Sequence, residues 1–348
     1  MPANRTRRIL LHAPSIHTGG GLELLKALLS ECSSSFDVLQ LDQRIQGSFA
    51  LPKRVDVHWV KKTVAARLYA EWKLFRQCSS EDTVLCFHGM PPLFPLHGRV
   101  TVFVQNRLLF ESGSLAAYPL LTRIRLFVER IWLRRMRRHG KRYLVQTSSM
   151  AVAARKCLGL DVDIVEQAFV PLGNMVLPEN NSIPAAKRTD FLYVSSGEAH
   201  KNHANLLEAW RLLAKAGMKP SLTLTVSPDA YPLLASEIAR YVRKFGLNIV
   251  NDGHVPKDHI HSLYLSSTAL IFTSCLESFG LPLIEASQLG LPVIAPELDY
   301  VRDVIQPAET FDPCSPLSIS RAVRRFLRHP EPATKIGSAE EFLAEVLR

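Results

Sequence analysis

The stretch that most constrains this chain runs from Ala269 to Pro296, ALIFTSCLESFGLPLIEASQLGLPVIAP. Ala269–Thr273 is a short apolar run suited to a strand buried on both faces, as in a parallel sheet. Phe279-Gly280 supplies a turn, and Pro282 fits the first helical turn, where its missing N–H costs nothing. Gly290 closes the helix and Pro292–Ala295 forms the next strand. Glu277 then lies on the loop at the carboxyl end of a strand, and Glu285 lies about one turn into the helix. The helix N-terminus points back at the same loop, so free N–H groups around Phe279–Leu281 and the helix dipole attract phosphate. A carboxylate accepts hydrogen bonds from vicinal hydroxyls. Two carboxylates flanking a phosphate site therefore suit a ligand with one sugar beyond each end of a diphosphate. The competing reading takes Glu277 as a solvated loop residue and Glu285 as a partner of the helix dipole.

With its flanking Phe-Gly-x-Pro-x-x-Glu-Ala and Gly-x-Pro-Val-Ile-Ala, the segment resembles the Glu-x7-Glu signature of retaining nucleotide-sugar glycosyltransferases of the two-Rossmann-domain (GT-B) type, family 4 (group 1). The resemblance extends over most of the C-terminal half and more loosely over the N-terminal half. It implies an α/β fold with two Rossmann-like domains facing each other across a cleft. It also implies that Glu277 contacts the donor sugar and Glu285 the ribose hydroxyls.

A chain of 348 residues is long for one domain and comfortable for two. The net charge of +10 asks for an anionic partner: nucleic acid, an anionic membrane or a phosphorylated substrate. Six cysteines without metal-ligand spacing read as free thiols of a reducing compartment. The basic N-terminus is followed by an apolar run of only Ile9–Leu11, too short for a signal peptide. No stretch reaches about 18 uncharged apolar residues, so no spanning helix is expected.

Along the N-terminal half, Arg8–Ala13 reads as a first buried strand, followed by Pro-Ser-Ile-His-Thr-Gly-Gly-Gly and a helical pattern at Leu22, Leu25, Leu28 and Leu29. Strand, glycine-rich turn and helix is a phosphate-cradle layout, and Gly19, Gly20 and Gly21 let the backbone approach a diphosphate. A flexible turn is the alternative. Two later strands end at His88-Gly89 and at Gln105-Asn106, the edge at which open α/β sheets bind ligands. His88 and Asn106 are candidates for the acceptor side of catalysis. The resembled family often carries a His-Asp or similar pair where Gln105-Asn106 stands, and this sequence departs from it there. Thr122–His139 is the strongest charge feature. Ile124, Phe127, Val128 and Ile131 recur at helical spacing, arginines fill most of the remaining positions, and Glu129 is the only acid. Three readings stay open for Arg123–Arg142: a helix packed on the core with a solvated basic face, attraction to anionic lipid head groups, and nucleic-acid contact. No nucleic-acid motif accompanies the run.

Pro171–Arg188, rich in proline and asparagine, reads as an interdomain linker. The expected division is an acceptor-binding domain over 1–172, a linker over 173–188, a nucleotide-sugar-binding domain over 189–330, and a closing helix within 331–348 that packs back on the first domain. Phe191–Val194 opens the second domain as a strand, and the loop Ser-Ser-Gly-Glu-Ala-His-Lys-Asn leads into a helix with Leu206, Leu207 and Trp210. Lys201 stands where that helix starts, and a point charge there neutralises a diphosphate. The resemblance makes Lys201 the phosphate lysine. The arginine the family often has near Ser196 is absent, which leaves Ser196 and backbone groups to help. By the same resemblance, His254 and Val255 lie beside the nucleotide base, and Ser274, Phe279, Gly280 and Leu281 complete the donor contacts. Phe311-Asp-Pro313 matches a turn of the family, and helices are expected over Leu317–Leu327 and Ala339–Leu347.

The function expected is transfer of a hexose from a nucleotide-diphosphate sugar to a glycan or lipid-linked acceptor, as in surface-polysaccharide assembly, with retention inferred from the resemblance. A mannose donor is hinted at by the His-Lys-Asn loop. Lys201 and Glu277 are the expected catalytic pair. No metal and no other cofactor is expected, positive groups of the protein taking a metal's place. No nucleic-acid partner is expected, and the location expected is cytoplasmic, peripheral at the inner face of the membrane. The rivals are a nucleotide-sugar epimerase of similar architecture and a non-catalytic membrane-surface or nucleic-acid-binding protein.

Overall fold

The computed structural model describes residues 7–170 and 189–332, apart from 49, 112, 114 and 117, together with 338, 339 and 345. Strands β1 (Ile9–Ala13), β2 (Val38–Asp42), β3 (Asp56–Val60), β4 (Thr83–Cys86), β5 (Arg99–Phe103), β6 (Arg142–Val145) and β7 (Asp163–Glu166) form one sheet in the order 3-2-1-4-5-6-7. Strands β8 (Thr189–Tyr193), β9 (Leu222–Leu224), β10 (Ile249–Asn251), β11 (Ser267–Ile271), β12 (Val293–Pro296) and β13 (Glu309–Phe311) form the other, in the order 10-9-8-11-12-13. Every pairing is parallel. Parallel strands carry helices on both faces, so successive side chains are buried alternately above and below. Leu10 and Leu11 in β1, each 1% exposed, do this in the first sheet, and Leu270 and Ile271 in β11 do it in the second.

The connecting helices are α1 (Gly19–Cys32), α2 (Val64–Gln77), α3 (Leu120–Arg135), α4 (Ser148–Leu158), α5 (His203–Lys215), α6 (Pro232–Phe245), α7 (Lys257–Leu265), α8 (Leu281–Gln288), α9 (Asp299–Arg302) and α10 (Pro316–Phe326). None in the described residues is long and apolar enough to cross a membrane. In each sheet the winding reverses beside its first strand, between β1 and β4 and between β8 and β11. A crevice opens at the carboxyl ends of the strands at such a reversal. The loops leaving those four strands carry His88, Lys201 and Glu277, and the first of them leads into Gly19–Gly21, which form the opening turn of α1 where a turn before the helix was expected. Topology alone thus gathers the expected site residues at two facing crevices.

The expected linker, 173–188, and nearly all of the expected closing helix, 339–347, lie outside the described residues. Two readings of the sequence need correction. Glu309–Phe311 is an edge strand paired with β12 that the sequence reading did not foresee, leading into the expected turn at Phe311–Pro313; its three residues are too few to show a period. The apolar stripe of α3 does not pack on the core. Leu126 and Leu133 are buried, whereas Ile124, Phe127, Val128 and Ile131 are 52%, 63%, 54% and 45% exposed.

Candidate functional site

The centre of the second crevice is an ion pair. Lys201 Nζ lies 2.6 Å from Glu277 Oε1, with side chains 16% and 13% exposed. The turn behind the lysine is held by buried groups. The hydroxyls of Tyr193 and Thr273 donate to the Lys201 carbonyl at 2.6 and 3.1 Å. Asn202 takes the left-handed conformation, φ 64, and its amide donates to the carbonyls of Thr273 and Pro313 at 3.2 and 2.7 Å. Asparagine tolerates this conformation better than most side chains. It lets the 3-10 turn Ala199–Lys201 end and α5 begin without a break, which sets the direction of the lysine.

Glu277 is followed by a loop that Gly280 closes at φ +73, where an added Cβ would meet Leu283 Cδ1 at 3.0 Å. The helix α8 starts at Leu281 with Pro282 in its first turn, so the Leu281 N–H lacks an intrahelical partner, while Pro282 offers none and Leu283 N–H donates to the Gly280 carbonyl at 2.9 Å. Phe279 is buried beneath the loop. Glu285, on the same helix, accepts a hydrogen bond from the buried Tyr264 hydroxyl at 2.9 Å. His254 is exposed and Val255 half-buried, just beyond Gly253 at φ +74. Ser274 departs from expectation. It is fully buried, and its hydroxyl lies 3.1 Å from the carbonyls of both His200 and Leu276. It ties the two loops together from below and does not line the crevice.

Ser196 is engaged too: its hydroxyl donates to the Glu198 carboxylate. Burial alone would raise the Glu198 pKa, but hydrogen bonds from Ser196 and Tyr231 outweigh it and hold the carboxyl below the usual range. Sequence reading missed Glu198 and Tyr231. The one trace was Gly197, whose Cβ would stand 2.5 Å from the Tyr231 ring.

The first domain reaches this crevice at several points. A Cβ on Gly20 would be 3.4 Å from Leu281 Cδ1, at the head of α8. Arg107 N–H donates to Ser278 Oγ at 2.8 Å, Ser149 N–H to Asp303 Oδ2 at 3.0 Å, and the Tyr118 hydroxyl lies 3.2 Å from His200 Nδ1. The glycine-rich head of α1 therefore faces the start of α8, with Lys201 and Glu277 on the neighbouring loops. A Cβ on Gly21 would lie 3.2 Å from Gln105 Oε1. The Gln105 amide donates to the Phe87 carbonyl at 2.7 Å, while Oε1 is buried without a hydrogen-bond partner. Asn106, expected on the acceptor side, uses its side-chain oxygen to cap the 3-10 turn Arg107–Leu109, accepting from Leu108 N–H at 3.1 Å.

Behind the glycine-rich head of α1 lies a polar cluster shared by β1, β2, α2 and the loop after β4. Gln40 donates to the Ala70 carbonyl at 3.2 Å, which turns its Oε1 toward His12 Nδ1, 2.6 Å away. His12 Nδ1 is thus the donor there, and a proton lies between His12 Nε2 and Glu71 Oε1, 3.0 Å apart. Leu93 N–H bonds the other Glu71 oxygen at 2.9 Å. Burial opposes the charge on Glu71, but His12 more than compensates and its pKa is lowered. His88 Nδ1 faces the His12 carbonyl at 3.3 Å, and the two rings meet edge to face with centroids 4.9 Å apart. Desolvation first, and then the neighbouring His12, push the His88 pKa down to about 3. His88 is therefore neutral near pH 7, with Nε2 free to accept a hydrogen bond. His12, Glu71 and His88 each bring one ligand-capable atom within 4.8 Å of the others. His12 bonds Glu71 through Nε2 and His88 through its backbone carbonyl, and the three line the floor of the crevice.

Comparison with known proteins bears on the fold and on the second domain. Residues 179–341 match the family described as glycosyl transferases group 1. The serotype-specific mannosyltransferase WbdA of Escherichia coli is 30% identical over 190 residues, which are 53% of this chain and 23% of WbdA. The O-antigen chain mannosyltransferase B of Escherichia coli is 27% identical over 119 residues, 33% of this chain and 30% of that protein. The chain thus spans under a third of the length of these relatives. Among solved structures, HepE of Anabaena in complex with UDP and glucose superposes with a TM-score of 0.64 at 14% identity, covering 92% of this chain and 90% of HepE. The sucrose-phosphate synthase of Thermosynechococcus elongatus gives 0.65 at 12% identity, covering 93% and 90%. The fold is GT-B. Its second domain is the half that matches the glycosyltransferase family.

Proposed function

We propose that this chain is a retaining glycosyltransferase that moves a hexose, taken to be mannose, from a nucleotide-diphosphate sugar to a glycan or lipid-linked acceptor in surface-polysaccharide assembly. The observation that carries this reading is the Lys201–Glu277 pair, 2.6 Å apart at the mouth of the β8/β11 crevice. The head of α8 is beside it and the glycine-rich head of α1 faces it. The match over residues 179–341 and the likeness to two mannosyltransferases support the same reading.

In this account the anomeric carbon–oxygen bond to the diphosphate breaks as the acceptor oxygen bonds to the same carbon, on the face the phosphate leaves. The acceptor proton passes to the departing phosphate oxygen. Negative charge grows on the leaving group, and Lys201, the amides of Gly19–Gly21 and those at the head of α8 stabilise it. These positive groups replace a divalent metal. Lys201 leaves Glu277 when phosphate arrives, and the carboxylate is released to bind hydroxyls of the donor sugar. Glu285, oriented by Tyr264, binds the ribose, and His254 and Val255 flank the base. His88, neutral, accepts a hydrogen bond from a sugar or acceptor hydroxyl through Nε2. Closure of the domains excludes water. The protein acts peripherally at the cytoplasmic membrane face.

Lys201→Ala and Glu277→Ala should each lower transfer by two orders of magnitude or more (roughly 10²–10³, the loss typical of one removed charge stabiliser) while circular dichroism stays unchanged. Activity of wild type should survive EDTA. Full transfer by either variant, or a strict need for added manganese, contradicts the assignment.

A further inference from the structure

The polar cluster under the glycine-rich head of α1 carries a chemistry that the proposed reaction does not use. His12 and Glu71 are 0% and 3% exposed, and His12 Nε2 stands 3.0 Å from Glu71 Oε1. A lone pair on each of these atoms faces the other, so a cation lies between them: a proton or a metal ion. His88 brings a ring nitrogen within 4.8 Å of a ligand-capable atom on each of the two. A proton joins His12 to Glu71 and leaves His88 idle. A metal ion takes all three.

The surroundings hold these groups in the way ligands are held. The Gln40 amide donates to the Ala70 carbonyl, which sets Gln40 Oε1 2.6 Å from His12 Nδ1. His12 Nδ1 therefore carries the proton, and Nε2 is left to bind. A metal-bound histidine is ordinarily fixed through its other ring nitrogen in this manner. Leu93 N–H holds the second Glu71 oxygen at 2.9 Å and leaves Oε1 to the ion. Ligand atoms around a tetrahedral zinc stand roughly 3.3 Å apart, and two imidazoles that share the ion have centroids about 5 Å apart. The distance from His12 to Glu71, 3.0 Å, and the centroid separation of His12 and His88, 4.9 Å, are near these values. His88 is half-buried, and its contact with the His12 carbonyl is long at 3.3 Å. Its ring turns at little cost to complete the set, and the ion enters past it from the crevice. Two imidazoles and a carboxylate suit zinc, whereas magnesium and calcium take oxygen ligands.

We propose that His12, Glu71 and His88 form a binding site for one zinc ion, with Gln40 as the positioning residue behind His12. The ion takes no part in the transfer chemistry. It acts on the floor of the crevice instead. A zinc-bound His88 no longer accepts a hydrogen bond from a sugar or acceptor hydroxyl: either Nε2 is on the ion, or Nδ1 is and Nε2 carries the proton. Zinc should therefore lower transfer until a chelator removes it. That consequence rests on the glycosyltransferase reading; the site itself does not.

The test is equilibrium dialysis of the full chain, first stripped with EDTA, against micromolar zinc, with bound metal counted by mass spectrometry. Wild type should hold one zinc per chain more than Glu71→Gln or His88→Ala holds. Gln40→Leu should weaken zinc binding roughly 10–100-fold, the loss typical of a missing partner to a metal-bound histidine. A glutamine at position 71 still accepts from Leu93 N–H and donates to His12, and His88 is half-buried, so circular dichroism of both ligand variants should match wild type. Cobalt(II) in place of zinc should give the strong visible absorption of a tetrahedral ion in wild type and not in the variants, and excess magnesium should leave bound zinc in place. Three results overturn the proposal: wild type that holds no more zinc than the ligand variants, zinc displaced by magnesium, or a cobalt spectrum of octahedral or thiolate-bound ion, which would put the metal on the surface or on the cysteines. Metal content is read without any substrate, so the site can fail while nucleotide-sugar binding stands, and the reverse.

Discussion

Two desolvated histidines, His203 buried and His88 half-buried, make the fold sensitive to acid. Burial pushes His88 down to about 3 and His203 down to about 4, from an ordinary value of 6.5. The unfolded chain takes up protons at these sites below pH 6.5, whereas the folded chain holds them neutral until far lower pH. Their contribution to stability is therefore complete above pH 6.5 and is lost as pH falls toward 4 and then 3. The carboxylates of Glu71 and Glu198, lowered from 4.5, add loss in the same direction at more acid pH. A urea titration at steps from pH 7 to pH 5 should show a falling midpoint, and His203→Gln should flatten that fall. A flat wild-type profile would contradict the neutral state assigned to both rings. At this scale the sequence was most legible where chemistry is local. Lys201, Glu277 and the three glycines stand at strand ends and helix starts, and the fold brings them together. Contacts that depend on distant elements left no local trace: Tyr118 on His200, and His12 between Gln40 and Glu71.

Among the elements, α8 matters most because its head must point at the crevice. Gly280 makes that possible by taking φ +73 immediately before the helix. Gly280→Ala adds a Cβ in a conformation that costs an L-residue roughly 1–2 kcal/mol, and the Leu283 side chain must yield as well. We expect a lower melting temperature together with a weaker KM for the donor, measured by calorimetry and steady-state kinetics. A KM equal to that of wild type would mean that the head of α8 takes no part in donor binding. Parallel strands announce themselves as apolar runs, so most boundaries fell within a few residues of their expected place. The face of α3 did not. Its pattern holds two apolar stripes, and the sequence gives no sign that the narrower one, Leu126 and Leu133, is the side that meets the sheet. The broader one, with its arginines, belongs to the surface.

Across the whole molecule, two doubly wound sheets present their reversal points to each other, and the contacts of Arg107 with Ser278 and of Ser149 with Asp303 set their spacing. The account stands on the claim that the crevice between them holds a nucleotide-diphosphate sugar through Lys201. Calorimetric melting of wild type and Lys201→Ala against a panel of nucleotide-diphosphate sugars tests this most directly, because a ligand that binds only the folded chain raises its melting temperature. The prediction is that at least one sugar nucleotide raises the melting temperature of wild type by several degrees and leaves Lys201→Ala unmoved. A panel in which none shifts wild type, or one that shifts both proteins equally, would contradict it.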